Sequence, residues 1–258
     1  MKFSRPMSVL LGAVATAALQ AGVARAEVKT QWIDYKQGDT ELQGYLAYDD
    51  SISGKRPAVL LARDRSGMSS VTTRDTEMIA RLGYVVFAED IYGKTVRSKT
   101  VPEMSEQSAL YNKDRPLMRA RAQAGLDVLR QNPMVDPAKI ALVGYCFGGT
   151  VAVELVETGA PLAATVAVHG SFRNFAPEAA NNIKGPMLIL HGAEDQTAPL
   201  NEVNKLIADL RAAKVSWELQ LYSGAEHGFT DPKNPAEERA DREYKVAMAR
   251  FLKENIGP

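Results

Sequence analysis

"KIALVGYCFGGTVAVEL", residues 139–155, decides how the rest of the chain is read. A short apolar run ends at Val143, the turn Gly144-Tyr145-Cys146-Phe147-Gly148 follows, and a second apolar run begins after Gly149. The first run has the length of a strand covered on both faces, and the second reads as a helix. Two glycines around a central residue at a strand-to-helix junction are what a nucleophile elbow requires, because the positions two before and two after leave no room for a side chain. Such a turn lifts Cys146 above the sheet. The helix behind it points its positive end at the sulfur, which favours the thiolate. A phosphate-binding loop would need a Lys-Ser/Thr pair after the glycines, and none stands there. Cys146 is the single cysteine of the chain. It is therefore either a buried, inert small hydrophobe or a thiol kept for its reactivity.

The segments on both sides repeat the strand–helix theme. "VKTQWIDY" and "ELQGYLAY", joined through "QGDT", read as an antiparallel hairpin. "PAVLLA", "YVVFAED", "KIALVGY", "AATVAVHG", "PMLILHG" and "WELQLYSG" read as further strands. Between and after them, helices are expected at "RDTEMIARLG", "PLMRARAQAGLDVLRQ", "GTVAVELVETG", "NEVNKLIADLRAA" and "EERADREYKVAMARFLKEN". Pro116 suits the first turn of the second helix, whose apolar stripe is read as Leu117, Ala120, Ala124 and Val128. In "NEVNKLIADLRAA" the stripe is Val203, Leu206, Ile207 and Leu210. The polar segment 94–115 is read as irregular, with one short helix. This order implies an α/β fold: a mostly parallel sheet with an N-terminal antiparallel hairpin and helices on both faces. Ligands of such sheets bind beyond the carboxyl ends of the strands.

Residues 1–26 read as a signal peptide: Lys2 and Arg5, an Ala-rich apolar stretch, then Ala24-Arg25-Ala26 as a cleavage signal. The remainder, residues 27–258, reads as a single domain exported to the periplasm, or secreted. Cleavage would remove three of 31 basic residues and none of 31 acidic ones, leaving a formal charge of −3. That balance does not suit nucleic acid or an anionic membrane as partner. No stretch after residue 26 has the apolar length of a membrane span, and a monomer is expected.

A cysteine nucleophile needs a base. The chain has three histidines, His169, His191 and His227, each near an expected strand end. Elbow enzymes run in the order nucleophile, acid, histidine, and only His227 is late enough. Glu194 and Asp195 both follow "PMLILHG". Asp195 is preferred because it lies further beyond the sheet edge, and its role would be to hold the imidazole tautomer. His191 reads as structural. The histidine spacings do not match a catalytic zinc motif, so no metal and no cofactor is expected.

"PAVLLARDRSG", "AEDIYGK", "GYCFGG", "AVHGSF", "LHGAEDQTAP" and "EHGFTDP", spread over residues 57–232, together resemble the dienelactone hydrolase family. The resemblance implies an α/β-hydrolase fold and a Cys146–His227–Asp195 triad that cleaves an ester or lactone of a small molecule through a thioacyl-enzyme. It implies an oxyanion hole from the backbone N–H groups of Phe147 and Arg65. It also implies an acid that pairs with the thiol, here Asp64 where known members have Glu, and pocket walls at Tyr92, His169 and Phe229. Members acting on dienelactone hold its carboxylate with two arginines. The corresponding places here are Lys94 and Asp231, which predicts a preference for neutral substrates. The other reading is a non-catalytic ligand-binding or thiol-sensing protein of the same fold.

Overall fold

A computed structural model describes residues 27–173 and 175–258. The expected signal peptide, residues 1–26, lies outside the described residues. β1 (Val28–Gln37) and β2 (Thr40–Asp49) form the hairpin, paired from Val28↔Asp49 to Gln37↔Thr40. Gly38, at φ 56°, takes the left-handed corner of its two-residue turn. The chain then alternates: β3 (Arg56–Ala62), α1 (Ser70–Ala80), β4 (Val85–Ala88), α2 (Val101–Lys113), α3 (Arg115–Gln131), β5 (Val135–Tyr145), α4 (Phe147–Val156) and β6 (Ala164–Val168). After a short 3-10 turn come β7 (Met187–Gly192), α5 (Leu200–Ala212), β8 (Trp217–Tyr222) and α6 (Pro235–Ile256).

The eight strands form one sheet in the order β1-β2-β4-β3-β5-β6-β7-β8. Pairing is antiparallel for β1–β2 and β2–β4 and parallel from β4 across to β8. One core packs α1 and α6 against the sheet through residues such as Val59, Val143, Val166 and Met248. The other packs α3, α4 and α5 through Leu60, Phe87, Leu142 and Leu206. Each such side chain contributes about 1.5–3 kcal/mol by leaving water. The strand order reverses between β3 and β5, so their carboxyl ends open a crevice. Cys146 follows β5 and Arg65 follows β3, one on each side of it.

Two local readings change. The buried face of α3 is Met118, Arg121, Ala122, Gly125, Leu126 and Leu129, while Leu117, Ala120, Ala124 and Val128 are only partly covered. An alanine-rich helix offers more than one stripe, and the true one contains a buried arginine that hydropathy assigns to solvent. Segment 94–115 is also more ordered than expected. Its 13-residue helix α2 starts with a capping box, in which Thr100 accepts from the Glu103 N–H and Glu103 accepts from the Thr100 N–H. The Val203, Leu206, Ile207 and Leu210 stripe of α5 is buried as read.

Candidate active site

Cys146 sits at φ 53° and ψ −114°, a conformation costly for a residue with a Cβ. The surroundings hold it there. Its N–H donates to the Val168 carbonyl at 3.0 Å, and its own carbonyl accepts from Gly149 at 2.9 Å. A Cβ on Gly144 would lie 2.1 Å from the Gly148 oxygen, and one on Gly148 would lie 2.0 Å from the Ala62 oxygen. Those contacts explain both glycines of the motif. Beneath the turn, the buried Arg63 guanidinium lies 4.4 Å from the Tyr145 ring centroid and pairs with Asp75 at 2.8 Å. Phe147 opens α4 and Arg65 lies in the loop after β3, and both line the cavity at Cys146. Neither backbone N–H donates a hydrogen bond to any described residue.

Two loops at the sheet's carboxyl edge bring the other groups in. His227, after β8, places Nε2 3.1 Å from Cys146 Sγ and Nδ1 2.8 Å from Asp195 Oδ2. Asp195, after β7, is fixed because its other oxygen accepts the N–H groups of Thr197 and Ala198 at 2.9 and 2.8 Å. Gly192 lets the β7 and β8 loops close on each other, since a Cβ there would lie 2.5 Å from the Ala225 oxygen. Burial opposes a charge on His227, but the hydrogen bonds and charges of Asp195 and Cys146 outweigh it and the imidazole is pushed up to about 10. Burial also works against the Asp195 carboxylate. Its bonds to His227 and Ala198 prevail, holding its pKa below the ordinary value. Glu194 is exposed, and its backbone N–H donates to the Ala225 carbonyl at 3.0 Å, while the partner of His227 Nδ1 is Asp195. His191 is fully buried, bonded through Nε2 to the Ala198 carbonyl at 2.7 Å, and braces the Asp195 loop.

Several sequence-based placements are corrected. Asp64 does not touch the thiol. Its Oδ1 accepts from the Ser66 N–H at 2.8 Å and its Oδ2 lies 3.6 Å from Arg63, so this short side chain is spent on its own loop. Tyr92 is buried and lines neither cavity at Cys146. It packs on Tyr111 and Phe147, and its hydroxyl donates to the Arg65 carbonyl at 3.2 Å, so it supports the loop after β3 from behind. Phe229 is wholly buried between Tyr222, Tyr244 and His169 and is a core residue. Lys94 is remote from the crevice: its ammonium pairs with Asp34 of β1 at 2.7 Å. His169 and Asp231 do line the pocket.

That pocket is two cavities meeting at Cys146, His227, Thr197 and Arg65. The larger, about 470 Å³, is lined by Asp64, Arg74, His169, Thr230, Asp231 and Lys233 among others. The smaller, about 360 Å³, carries Arg65, Arg115 and Arg173 with Ser108, Asn112 and Ser171, and no acidic residue. Arg115 is held by Glu154 at 2.9 Å and Arg173 by Glu202, so both guanidiniums are fixed in place. Helix α2 supplies Ser108 and Asn112 as the wall of this cavity. These cations were missed because each belongs to a surface-like charged segment. The only hint was Arg173 standing just after a strand end.

A dienelactone hydrolase family model matches residues 42–256. The chain belongs to the dienelactone hydrolase family. It is 28% identical over 214 residues to the carboxymethylenebutenolidase homolog of Mus musculus, covering 82% of this chain and 85% of that one. The Homo sapiens homolog is 28% identical over 211 residues, covering 79% and 82%. Among solved structures, a dienelactone hydrolase-like promiscuous phosphotriesterase from metagenomic libraries superposes with a TM-score of 0.83 at 31% identity. The match covers 89% of this chain and 99% of that one. The α/β-hydrolase fold expected from the sequence is therefore present, and membership of the dienelactone hydrolase family makes this chain a hydrolase.

Proposed function

We propose that this dienelactone hydrolase family member cleaves carboxylic esters or lactones with Cys146 as nucleophile. The observation that carries the reading is the line Asp195–His227–Cys146, with contacts of 2.8 and 3.1 Å, ending at the junction of two cavities. In the resting site His227 carries a proton against the Cys146 sulfur. The thiolate attacks the substrate carbonyl carbon, and the carbonyl oxygen takes the electron pair. The free N–H groups of Phe147 and Arg65 stabilise that oxyanion. Collapse expels the alkoxide, which takes the proton from His227 Nε2 and leaves a thioester on Cys146. Water then gives a proton to the neutral His227 as it attacks the thioester. The second collapse releases the acid and restores the ion pair. Asp195 keeps Nδ1 protonated and Nε2 facing the sulfur throughout.

Because Lys94 is remote and three arginines line the smaller cavity, the neutral-substrate preference is replaced. An anionic group on the substrate is placed beside Arg115 and Arg173, and the larger cavity receives the other end. Residues 1–26 would direct the chain to the periplasm, where it acts alone, without cofactor. Turnover of a short-chain aryl ester tests this: many equivalents of product per chain support the hydrolase, and one equivalent or none supports a sensing or binding role.

A further inference from the structure

His169 is not used by the reaction above, yet it is the most unusual polar residue beside it. It stands at φ 39°, just beyond β6, and is 2% exposed. Its Nε2 is held by Thr230 Oγ1 at 3.2 Å, while its Nδ1 has no hydrogen-bond partner among the described residues. Its ring lies edge-on to the His227 ring, with centroids 5.0 Å apart. One atom each of Cys146, His169 and His227 (sulfur, ring nitrogen, ring nitrogen) fall within 4.8 Å of one another.

We infer that Cys146, His169 and His227 also form a capture site for a thiophilic divalent cation of the zinc class, and that filling it switches hydrolysis off. The donor set is one thiolate and two imidazoles, which suits zinc over magnesium or calcium. His227 has its Nδ1 tied to Asp195, and His169 has its Nε2 tied to Thr230 and its Nδ1 left unpartnered among the described residues. That outer support orients ligating histidines in metal sites. Tetrahedral zinc with ordinary bond lengths separates sulfur from nitrogen by about 3.5 Å and nitrogen from nitrogen by about 3.3 Å. The sulfur and His227 Nε2 already stand at 3.1 Å, so only the His169 ring has to close in. Binding puts the metal between Sγ and Nε2 and releases to solvent the one proton those atoms share. The fourth position opens to the two cavities, where water or a ligand completes the shell. The sulfur is then no longer free to attack, so the inhibition, though not the binding, rests on Cys146 being the nucleophile.

Calorimetric titration of the purified chain with Zn²⁺ should give one ion per chain. Co²⁺ in its place should give a thiolate-to-metal charge-transfer absorption that is absent from Cys146→Ala. His169→Phe keeps an aromatic ring but no ligand atom and should weaken Zn²⁺ binding at least tenfold. Thr230→Val, which retains all three ligands and serves if that variant does not fold, should weaken it by about 10–100-fold. Ester hydrolysis should fall in step with occupancy and return on adding chelator. Absence of stoichiometric binding, or binding unchanged in both Cys146→Ala and the His169 or Thr230 variant, would overturn the site. Full occupancy with undiminished hydrolysis would overturn its inhibitory role. A chain without esterase activity would still answer the binding question through the calorimetry and the cobalt spectrum.

Discussion

Cys146 occupies a backbone conformation that glycine would adopt more readily, and nothing but its sulfur justifies the strain. Cys146→Ala keeps a Cβ of the same size and should leave the melting temperature nearly unchanged while kcat falls by about 10⁴–10⁶-fold. Cys146→Ser should show weak residual turnover, because a hydroxyl depends on base activation more than a thiol does. The arginines are tested by substrate pairs. Arg115→Gln should lower kcat/KM for an anionic ester roughly tenfold relative to its neutral analogue, the loss of one charge-assisted contact of about 1.5 kcal/mol. Equal loss for both esters would place the anion site elsewhere. At this scale the sequence was legible where local sterics and chain order both applied, as for Cys146, Asp195 and His227. It was illegible for Arg115 and Arg173, because only tertiary packing turns a surface-like charge towards a cavity.

The elbow and helix α2 are the elements that shape the site. The elbow tolerates no side chain at Gly148, where a Cβ would meet the Ala62 carbonyl at 2.0 Å. Gly148→Ala should push the start of α4 off the end of β3, costing about 1–3 kcal/mol of stability, and lower activity together with it. Both can be read from thermal melts and steady-state assays. Thr100→Ala removes the α2 cap and should cost about 1 kcal/mol locally. Because α2 walls the arginine cavity, that variant should raise KM more than it lowers kcat. The buried strands and the α5 stripe could be read from periodicity alone. For α3 the same periodicity pointed to a neighbouring stripe, because the buried position next to Ala122 is Arg121. In segment 94–115 polarity hid the length of the expected helix, although Thr100, Pro102 and Glu103 already spelled its start.

Across the whole molecule, burial decides how stability follows pH. His169 and His191 are held neutral, their pKa values below the ordinary 6.5 chiefly because burial disfavours the charge. The unfolded chain takes up these protons near pH 6.5 and the folded chain does not until lower pH. The contribution of these two histidines is therefore full above about 6.5 and declines as pH falls towards the folded values, by up to about 1.4 kcal/mol per pH unit each, while Glu157, pushed up to about 8 chiefly by burial, and His227, pushed up to about 10, act in the opposite sense. Thermal melts between pH 7.5 and 5 should therefore differ in slope between the wild-type chain and His169→Phe, the variant losing less stability on acidification. An unchanged slope in that variant would mean that His169 is charged in the folded state. The parallel sheet whose carboxyl ends carry the site was implied by the strand–helix alternation. The division into two cavities, one of mixed charge and one without acids, was not, because it depends on how α2 and the loops after β6 and β8 pack over the strand ends. The central claim concerns one covalent bond. Intact-protein mass spectrometry of the chain quenched in acid during turnover of a slow ester should show added mass equal to the acyl group, mapped to Cys146 and missing from Cys146→Ala. Undiminished hydrolysis by Cys146→Ala, with no acyl group on the wild-type chain, would contradict it.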